Sequence, residues 1–469
     1  MDSMAGGADD GSLPTVPLLS RGERETIETA TVSGVDGPVA AISRTPRVTA
    51  LDAVETARTE GFDALASMPV REWLERVADA GRRLEGLGPD CLEPTDCHHH
   101  RVSRATGLPV GWVQASAHWL GYGLRHAAEA LRAQSPTGGL DVYDELTYTR
   151  ERDVDLAFTP RVRVLGAVMP GNDPAVYAWP ALALAAKVPV VIRPSDRDPF
   201  TALRLGRALV AAGFPESAVH VLPGERSLGD ILCRECDHAM VFGDADATDP
   251  YREDPAVETY GPGESLAVVA RDPTAAELDS LARGVVRSAG RACFCLTRVL
   301  ATGSCDADAL AEGLAERVTE ATVGPLDDSE TDVPVVPDRD RAERTDDRVS
   351  ALDGRDVTAD YREGPRLVST DDGPVLQPTV LRTPDPVAEL PFPFAGVTEC
   401  SRSALLDGVD PGYLGVVIGD EELEWSLVRS PAVRKVYGGR YPSTVDLRET
   451  HEEYLAAFCY ETTTYDPTA

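Results

Sequence analysis

The sequence predicts an α/β protein with two parallel-sheet domains, and three observations carry that reading. Short apolar strands alternate with helices across residues 162–242. The alternation resumes at residue 266, after a Gly-Pro-Gly. The chain has 469 residues, 42% of them hydrophobic, which suffices for two or three packed cores.

Residues 50–132 come first and have helical periodicity. Trp73, Leu74, Val77 and Ala80 recur at the 3.6-residue spacing, as do Leu120, Leu124, Ala127 and Leu131. The period then changes. Val162, Val164, Gly166 and Val168 alternate as a strand, and residues 188–192 form a short apolar strand of the buried type. Helices are expected at 177–187 and 199–212, and further strands at 219–222 and 239–242. Strand–helix–strand succession means right-handed crossovers and a parallel sheet. A second block, strand 266–270 then helix 275–288, opens the second domain. The expected boundaries are a flexible leader at 1–47, a first domain at 48–262 interrupted near 140–157, a second at 263–440, and a C-terminal return at 441–469. Residues 327–360 are acidic and proline-bearing, as an exposed loop and surface helix would be.

Charge narrows the function classes. Asp and Glu number 78 against 45 Lys and Arg, a net charge of -33, and the only lysines are Lys187 and Lys435. An acidic surface that avoids lysine fits solubility in concentrated salt, where screening acts over a few ångströms. The alternative is an ordinary acidic enzyme, against which the lysine avoidance argues. Nucleic acid and anionic membrane are poor partners for this surface. No apolar run is long enough to span a bilayer, and the N-terminus has Asp2, Asp9 and Asp10 where a signal peptide would be basic. Nine cysteines without disulfide-framework spacing point to a reducing cytoplasm.

The chemistry centres on Gly290-Arg291-Ala292-Cys293. Gly290 permits a tight turn, and a thiol ahead of a new element can be held as thiolate by positive backbone ends and by Arg291. A cysteine beside a glycine is by itself most often a small buried hydrophobe, so its company decides. Upstream lie Met169-Pro170-Gly171-Asn172-Asp173-Pro174, Val191-Ile192-Arg193-Pro194-Ser195, Ala212-Gly213-Phe214-Pro215 and Val219-His220-Val221-Leu222-Pro223-Gly224. Downstream lie Arg298, Val323-Gly324-Pro325 and Glu452-Glu453-Tyr454. In order and spacing these resemble the aldehyde dehydrogenase superfamily over most of residues 50–465. Arg291 replaces its usual Gln, and Arg193 its usual Lys.

The resemblance implies a nucleotide-binding domain, a catalytic domain and a small bridging β element near residues 142–154 and the C-terminus. It also implies NAD or NADP as cofactor. Cys293 would attack a carbonyl carbon and carry an acyl thioester, with the Asn172 amide and the Cys293 N–H stabilising the oxyanion. Arg193 and Ser195 would hold the adenosine ribose. Pro170, Gly224, Gly229 and Gly243 would line the dinucleotide, and Glu389 would meet the nicotinamide ribose. The bridging element pairs across a dimer in this family, and an edge strand expected at 456–463 independently favours a homodimer or homotetramer.

Two departures shape the functional reading. Where most members have a water-activating glutamate, a register anchored on Gly263 and Ser265 places Tyr260; Glu258 would reach that place only through a bulge. Water needs a general base, whereas a thiol of pKa about 8.5 resolves a thioester unaided. A Gly-Pro-Gly at this point also resembles the acyl-CoA-reducing branches. In the cofactor loop, Gly243-Asp244-Ala245-Asp246 puts carboxylates where phosphate would sit. Three readings follow: interconversion of an acyl-CoA and an aldehyde, oxidation of an aldehyde to its acid with Glu258 or another carboxylate as base, or a nucleotide-binding homologue without catalysis. No metal site is expected. Cys97-His98-His99-His100, with Cys91 nearby, reads as a polar surface loop, and Cys233-x-x-Cys236 as incidental.

Overall fold

The computed structural model describes residues 13–87, 92–150, 154–261, 263–444, 446–450 and 453–466. Among them, two seven-stranded sheets form the frame. The first runs Val257–Tyr260, His238–Phe242, Leu165–Val168, Val190–Arg193, Val219–Val221 in parallel, then turns antiparallel through Leu18–Leu19 and Glu23–Arg24. Its strands are apolar throughout because both faces are covered. Val190 and Ile192 join the core with helices Ala178–Ala185 and Pro199–Ala211, while Val191 joins the core with Arg47–Thr56 and Arg226–Glu235.

The second sheet runs Arg355–Asp356, Thr379–Thr383, Phe394–Glu399, Leu296–Ala301, Ser265–Val269, Gly412–Ile418, Val433–Gly438, parallel except at its first strand. Helices Ala275–Val286 and Ala307–Val318 cover one face, and Arg402–Asp407 and Glu421–Arg429 the other. A three-stranded antiparallel ribbon, Tyr460–Thr464, Val154–Pro160 and Thr147–Arg150, stands apart from both. The Tyr460 hydroxyl ties it to the first domain by donating to the Ala186 carbonyl at 2.6 Å.

Several expectations are corrected. The described part of the leader is not loose: Thr15–Val16 pairs Gly37–Ser43, which pairs Thr29–Gly34, and Val16, Leu18, Leu19, Val32, Ala40 and Ile42 are buried. Gly, Ser and Thr between these apolar positions masked the alternation; residues 1–12 lie outside the described residues. The strand expected from Val162 begins at Leu165, because the Asp237 carboxylate takes the N–H groups of Arg163 and Val164. The C-terminal segment is helical over Leu455–Cys459 before extending at Tyr460. Cys97-His98-His99-His100 lies within helix Thr95–Thr106, with His98 buried, and is not a loop. Cys91, Pro262 and Glu452 lie outside the described residues. No described helix is long and apolar enough to cross a membrane.

Candidate active site

The segment carrying Cys293 links helix Ala275–Val286 to strand Leu296–Ala301. Ser288, Ala289 and Gly290 are all left-handed, with φ of 48°, 56° and 69°, which reverses the chain. Only glycine fits at 290, since a Cβ would lie 2.4 Å from the Phe392 carbonyl carbon. A Cβ on Gly263 would lie 2.3 Å from Cys293 Cα. The cysteine backbone is thus held directly against the turn before strand Ser265–Val269. The Ser265 hydroxyl completes the clamp, donating to the Cys293 carbonyl at 2.8 Å and accepting from Leu414 N at 3.1 Å.

Asn172 reaches the same segment from the first domain. Its Nδ2 donates to the Arg291 carbonyl at 2.7 Å, which fixes the orientation of the amide, and its Oδ1 is buried without a hydrogen-bond partner among the described residues. The buried Asp173 fastens this turn, accepting from Ala175 N at 2.9 Å, from Ser116 Oγ, and from Ser288 Oγ at 3.3 Å. Cys293 is half-buried. Cys295 is fully in the core; burial pushes its thiol up, and its Sγ donates to the Arg287 carbonyl at 3.0 Å.

Arg291, in the place of the usual Gln, is a staple. It donates to the carbonyls of Pro391, Thr106 and Val335 at 3.3, 2.7 and 3.0 Å. Burial, then the charges of Arg197 and Arg341, bring its pKa down to about 9. Glu389 is brought to the clamp as well: its Oε2 accepts from Gly263 N at 3.0 Å and Glu264 N at 3.1 Å. Burial raises its carboxyl to about 7 against the opposing pull of the Gly263 N–H and Arg298. Arg298 is engaged by Glu264, by the Val387 carbonyl at 3.3 Å and by the Pro411 carbonyl at 3.0 Å.

Tyr260 ends its strand stacked on Phe242, with ring centroids 4.2 Å apart. The pairing from Ala239↔Val257 to Phe242↔Tyr260 runs without a register shift. The bulge that would advance Glu258 is therefore absent, and Glu258 stays two residues back from the strand end.

The cofactor candidates divide. The loops after Leu165–Val168, Val190–Arg193, Val219–Val221 and His238–Phe242 all leave the carboxyl end of the sheet, where open α/β sheets bind ligands. Pro170 and Ser195 are half-buried there, and Ser195 Oγ accepts from Arg197 N at 3.2 Å. Arg193 is buried; its Nε and Nη2 donate to the Gly224 carbonyl at 3.3 and 3.0 Å, and Nη2 also to Asp196 at 2.9 Å. The buried Gly224 thus binds the Arg193 loop. Gly229 is buried near the start of helix Arg226–Glu235, where an added Cβ would lie 3.4 Å from Val168. Gly243 N donates to the Tyr260 carbonyl at 3.1 Å. Asp244 caps the short helix Ala245–Thr248 with its own carboxylate, accepting from Ala247 N at 3.2 Å. Helix Arg226–Glu235 carries no side-chain cap; the Leu228 N–H turns back to the Glu225 carbonyl at 3.0 Å, and the helix start ahead of it is a place for an anion.

Sequence reasoning missed Arg291 as a staple and Lys435, a buried neighbour of the site. The second carried a signal, as one of only two lysines.

A model of the aldehyde dehydrogenase family matches residues 22–391. The chain belongs to the aldehyde dehydrogenase family. Among family relatives, it is 32% identical over 177 residues to geranial dehydrogenase of Castellaniella defragrans, covering 35% of this chain and 36% of that one. It is 32% identical over 250 residues to betaine aldehyde dehydrogenase of Sinorhizobium fredii, covering 48% and 49%. The matched stretches thus span about half, or less, of these relatives' lengths. In structure, it is similar to an indole-3-acetaldehyde dehydrogenase solved with NAD+, with a TM-score of 0.79 at 18% identity and 97% of each chain covered, a likeness of fold.

Proposed function

We propose that this aldehyde dehydrogenase family member is an NAD(P)-dependent oxidoreductase that interconverts an aldehyde and an acyl-coenzyme A thioester, with the acyl group carried on Cys293. The observation that carries the reading is Tyr260: a stacked aromatic ring occupies the strand end that would present the water-activating carboxylate, and an unbroken register holds Glu258 back.

The residues suit the cofactor at the uncapped helix Arg226–Glu235, whose N-terminus would take phosphate, with Arg193 and Ser195 toward a ribose. Asp244 disfavours phosphate at the Ala245–Thr248 helix. NAD(P) supplies the hydride carrier for the carbonyl carbon. In the reducing direction the Cys293 thiolate adds to the thioester carbonyl; the bond to the coenzyme A sulfur breaks and that thiolate leaves with its electron pair. The second N–H of the Asn172 amide and the Cys293 N–H would stabilise the intervening oxyanion. In the oxidising direction coenzyme A thiolate resolves the acyl-enzyme without a general base, whereas water would need one.

One observation favours a second reading, hydrolytic oxidation of an aldehyde. Glu389 is a buried carboxyl raised to about 7 beside the clamp, a pKa suited to activating water. A homologue that binds nucleotide without catalysis is the third, and the half-buried thiol of Cys293 and the fixed amide of Asn172 argue against it. The outer edge of Tyr460–Thr464 is exposed over Glu461–Thr464, so we expect it to be covered in a homodimer or homotetramer. A reducing cytoplasm of high salt is the setting that the composition supports.

The test offers NADH or NADPH with acyl-coenzyme A esters of several lengths to the protein in molar potassium chloride, with Cys293→Ala alongside. Coenzyme A thiol released in step with nicotinamide oxidation, and absent in the variant, is the expected result. Coenzyme-A-independent reduction of NAD(P) by aldehydes, with no thioester turnover, would replace it with the hydrolytic reading.

A further inference from the structure

The chain has 45 Lys and Arg, yet only Lys187 and Lys435 are lysines. Lys187 has an evident local role: it closes helix Ala178–Ala185 with a φ of 64° and pairs with Asp144 at 2.5 Å. Lys435 does not cap anything. It lies mid-strand in Val433–Gly438, paired to Leu414, and is only 6% exposed. In a chain whose other Lys and Arg cations, Lys187 aside, are arginines, this lysine is buried.

Its surroundings lead to the nucleophile. Lys435 Nζ donates to Glu449 at 2.9 Å and lies 5.6 Å from the centre of the Tyr413 ring. Tyr413 N donates to the Gly263 carbonyl at 2.7 Å, and Gly263 is the residue pressed against Cys293 Cα. From the other side, the Tyr441 hydroxyl donates to the Phe294 carbonyl at 3.1 Å. Tyr413, Tyr441, Tyr437, Phe294 and Cys293 belong to one cluster; burial pulls the pKa of Lys435 down, and Glu449, then Cys293, oppose that pull.

We propose that Lys435 is a positioning residue for the nucleophile: its ammonium, held in place by Glu449 and the tyrosine ring, supplies the positive charge that keeps Cys293 ionised as thiolate. A nearby positive charge favours the thiolate and lowers a thiol's pKa.

Other charged and titratable groups face the pair. On the strand and the segment after it are Tyr437, Tyr441, Asp446 and Glu449; the Tyr437 hydroxyl donates to the same Glu449 oxygen at 2.6 Å. Tyr413 faces it from strand Gly412–Ile418. Before the cysteine, the Arg287 guanidinium lies over the Phe294 ring at 4.9 Å and donates to the Pro442 carbonyl at 3.2 Å. Glu389 and Asp173 act on neighbouring Cys295, and Arg291 is engaged by three carbonyls.

The inference rests on Cys293 as nucleophile, and the test keeps the two separate by using no substrate. The full-length protein, in fixed molar potassium chloride, is alkylated with iodoacetamide between pH 5 and 10. Fragmentation of the tryptic peptide 292–298 distinguishes Cys293 from Cys295. Wild type should label at Cys293 with a midpoint well below 8.5. Lys435→Met should raise that midpoint by about one unit or more, and Lys435→Arg should restore much of it. Should the methionine variant fail to fold, Lys435→Gln, which still reaches Glu449 with a neutral amide, reads the same shift. An unchanged midpoint in the neutral variants overturns the role of Lys435, as does labelling slowed equally at every pH. Cys293 unlabelled throughout in folded wild type, with Cys293→Ala unaffected in turnover, would instead remove the nucleophile and the inference together.

Discussion

Glu389 is the residue through which pH acts most directly on the site. Its carboxylate caps the N–H groups of Gly263 and Glu264, and burial raises it to about 7. A carboxyl whose folded pKa exceeds its unfolded value contributes stability that is fully present below about pH 4.5 and lost as pH rises through 7. The difference is on the order of 3 kcal/mol. Wild type should therefore lose thermal midpoint between pH 5 and 8, and Glu389→Gln should flatten that fall. Parallel curves for the two proteins would mean that the carboxyl titrates alike folded and unfolded. If Glu389 activates water, the same substitution abolishes any aldehyde oxidation made without coenzyme A; on the acyl-coenzyme A reading, thioester turnover survives it.

At the scale of elements, a buried histidine is among the polar contacts that join the N-terminal strands to the first sheet, beside backbone pairing and the Arg207–Glu23 ion pair. His220, on central strand Val219–Val221, meets Ser20 Oγ at 2.9 Å and the Ser217 carbonyl at 3.0 Å through its two ring nitrogens. Burial brings its pKa down to about 4. The sign here is opposite to that of Glu389. The unfolded chain takes up the proton first, so the contribution is complete above about pH 6.5 and lost as pH falls through 4. Hydrogen exchange between pH 7 and 4.5 should show Leu18–Leu19 and Glu23–Arg24 losing protection, and His220→Asn should weaken that dependence. Strand protection independent of pH in wild type would show that His220 does not titrate in this range. Sequence reading placed the central strands well because buried parallel strands are apolar on both faces. It missed the N-terminal ones because they are two to seven residues long and interleaved with Ser, Thr and Gly.

Across the whole molecule the dominant quantity is the net charge of -33. Many arginines are locally paired, as in the Arg402–Asp420–Glu422 and Arg366–Asp346–Asp356 groups. The excess of carboxylates remains, and self-repulsion opposes the compact state until salt shortens its range. Raising potassium chloride from 0.1 to 2 M should lift the thermal midpoint by roughly 10 °C. A midpoint indifferent to salt would return the composition to that of an ordinary acidic enzyme.

The alternation of strands and helices, the nucleophile candidate and its family company were legible in the sequence because each is a local pattern. A periodicity of 2 or 3.6, a glycine before a cysteine and a Pro-x-Asn turn all fit within a few residues. The missing bulge before Tyr260 was also a local question, but only strand pairing answered it. The tertiary structure alone decided what the buried polar side chains do. Arg291 turns to carbonyls 185, 44 and 100 residues away, Glu389 caps amides more than 120 residues upstream, and His98 sits buried inside a helix. A charged group can be buried only where partners converge on it, and such convergence joins residues that no local pattern connects.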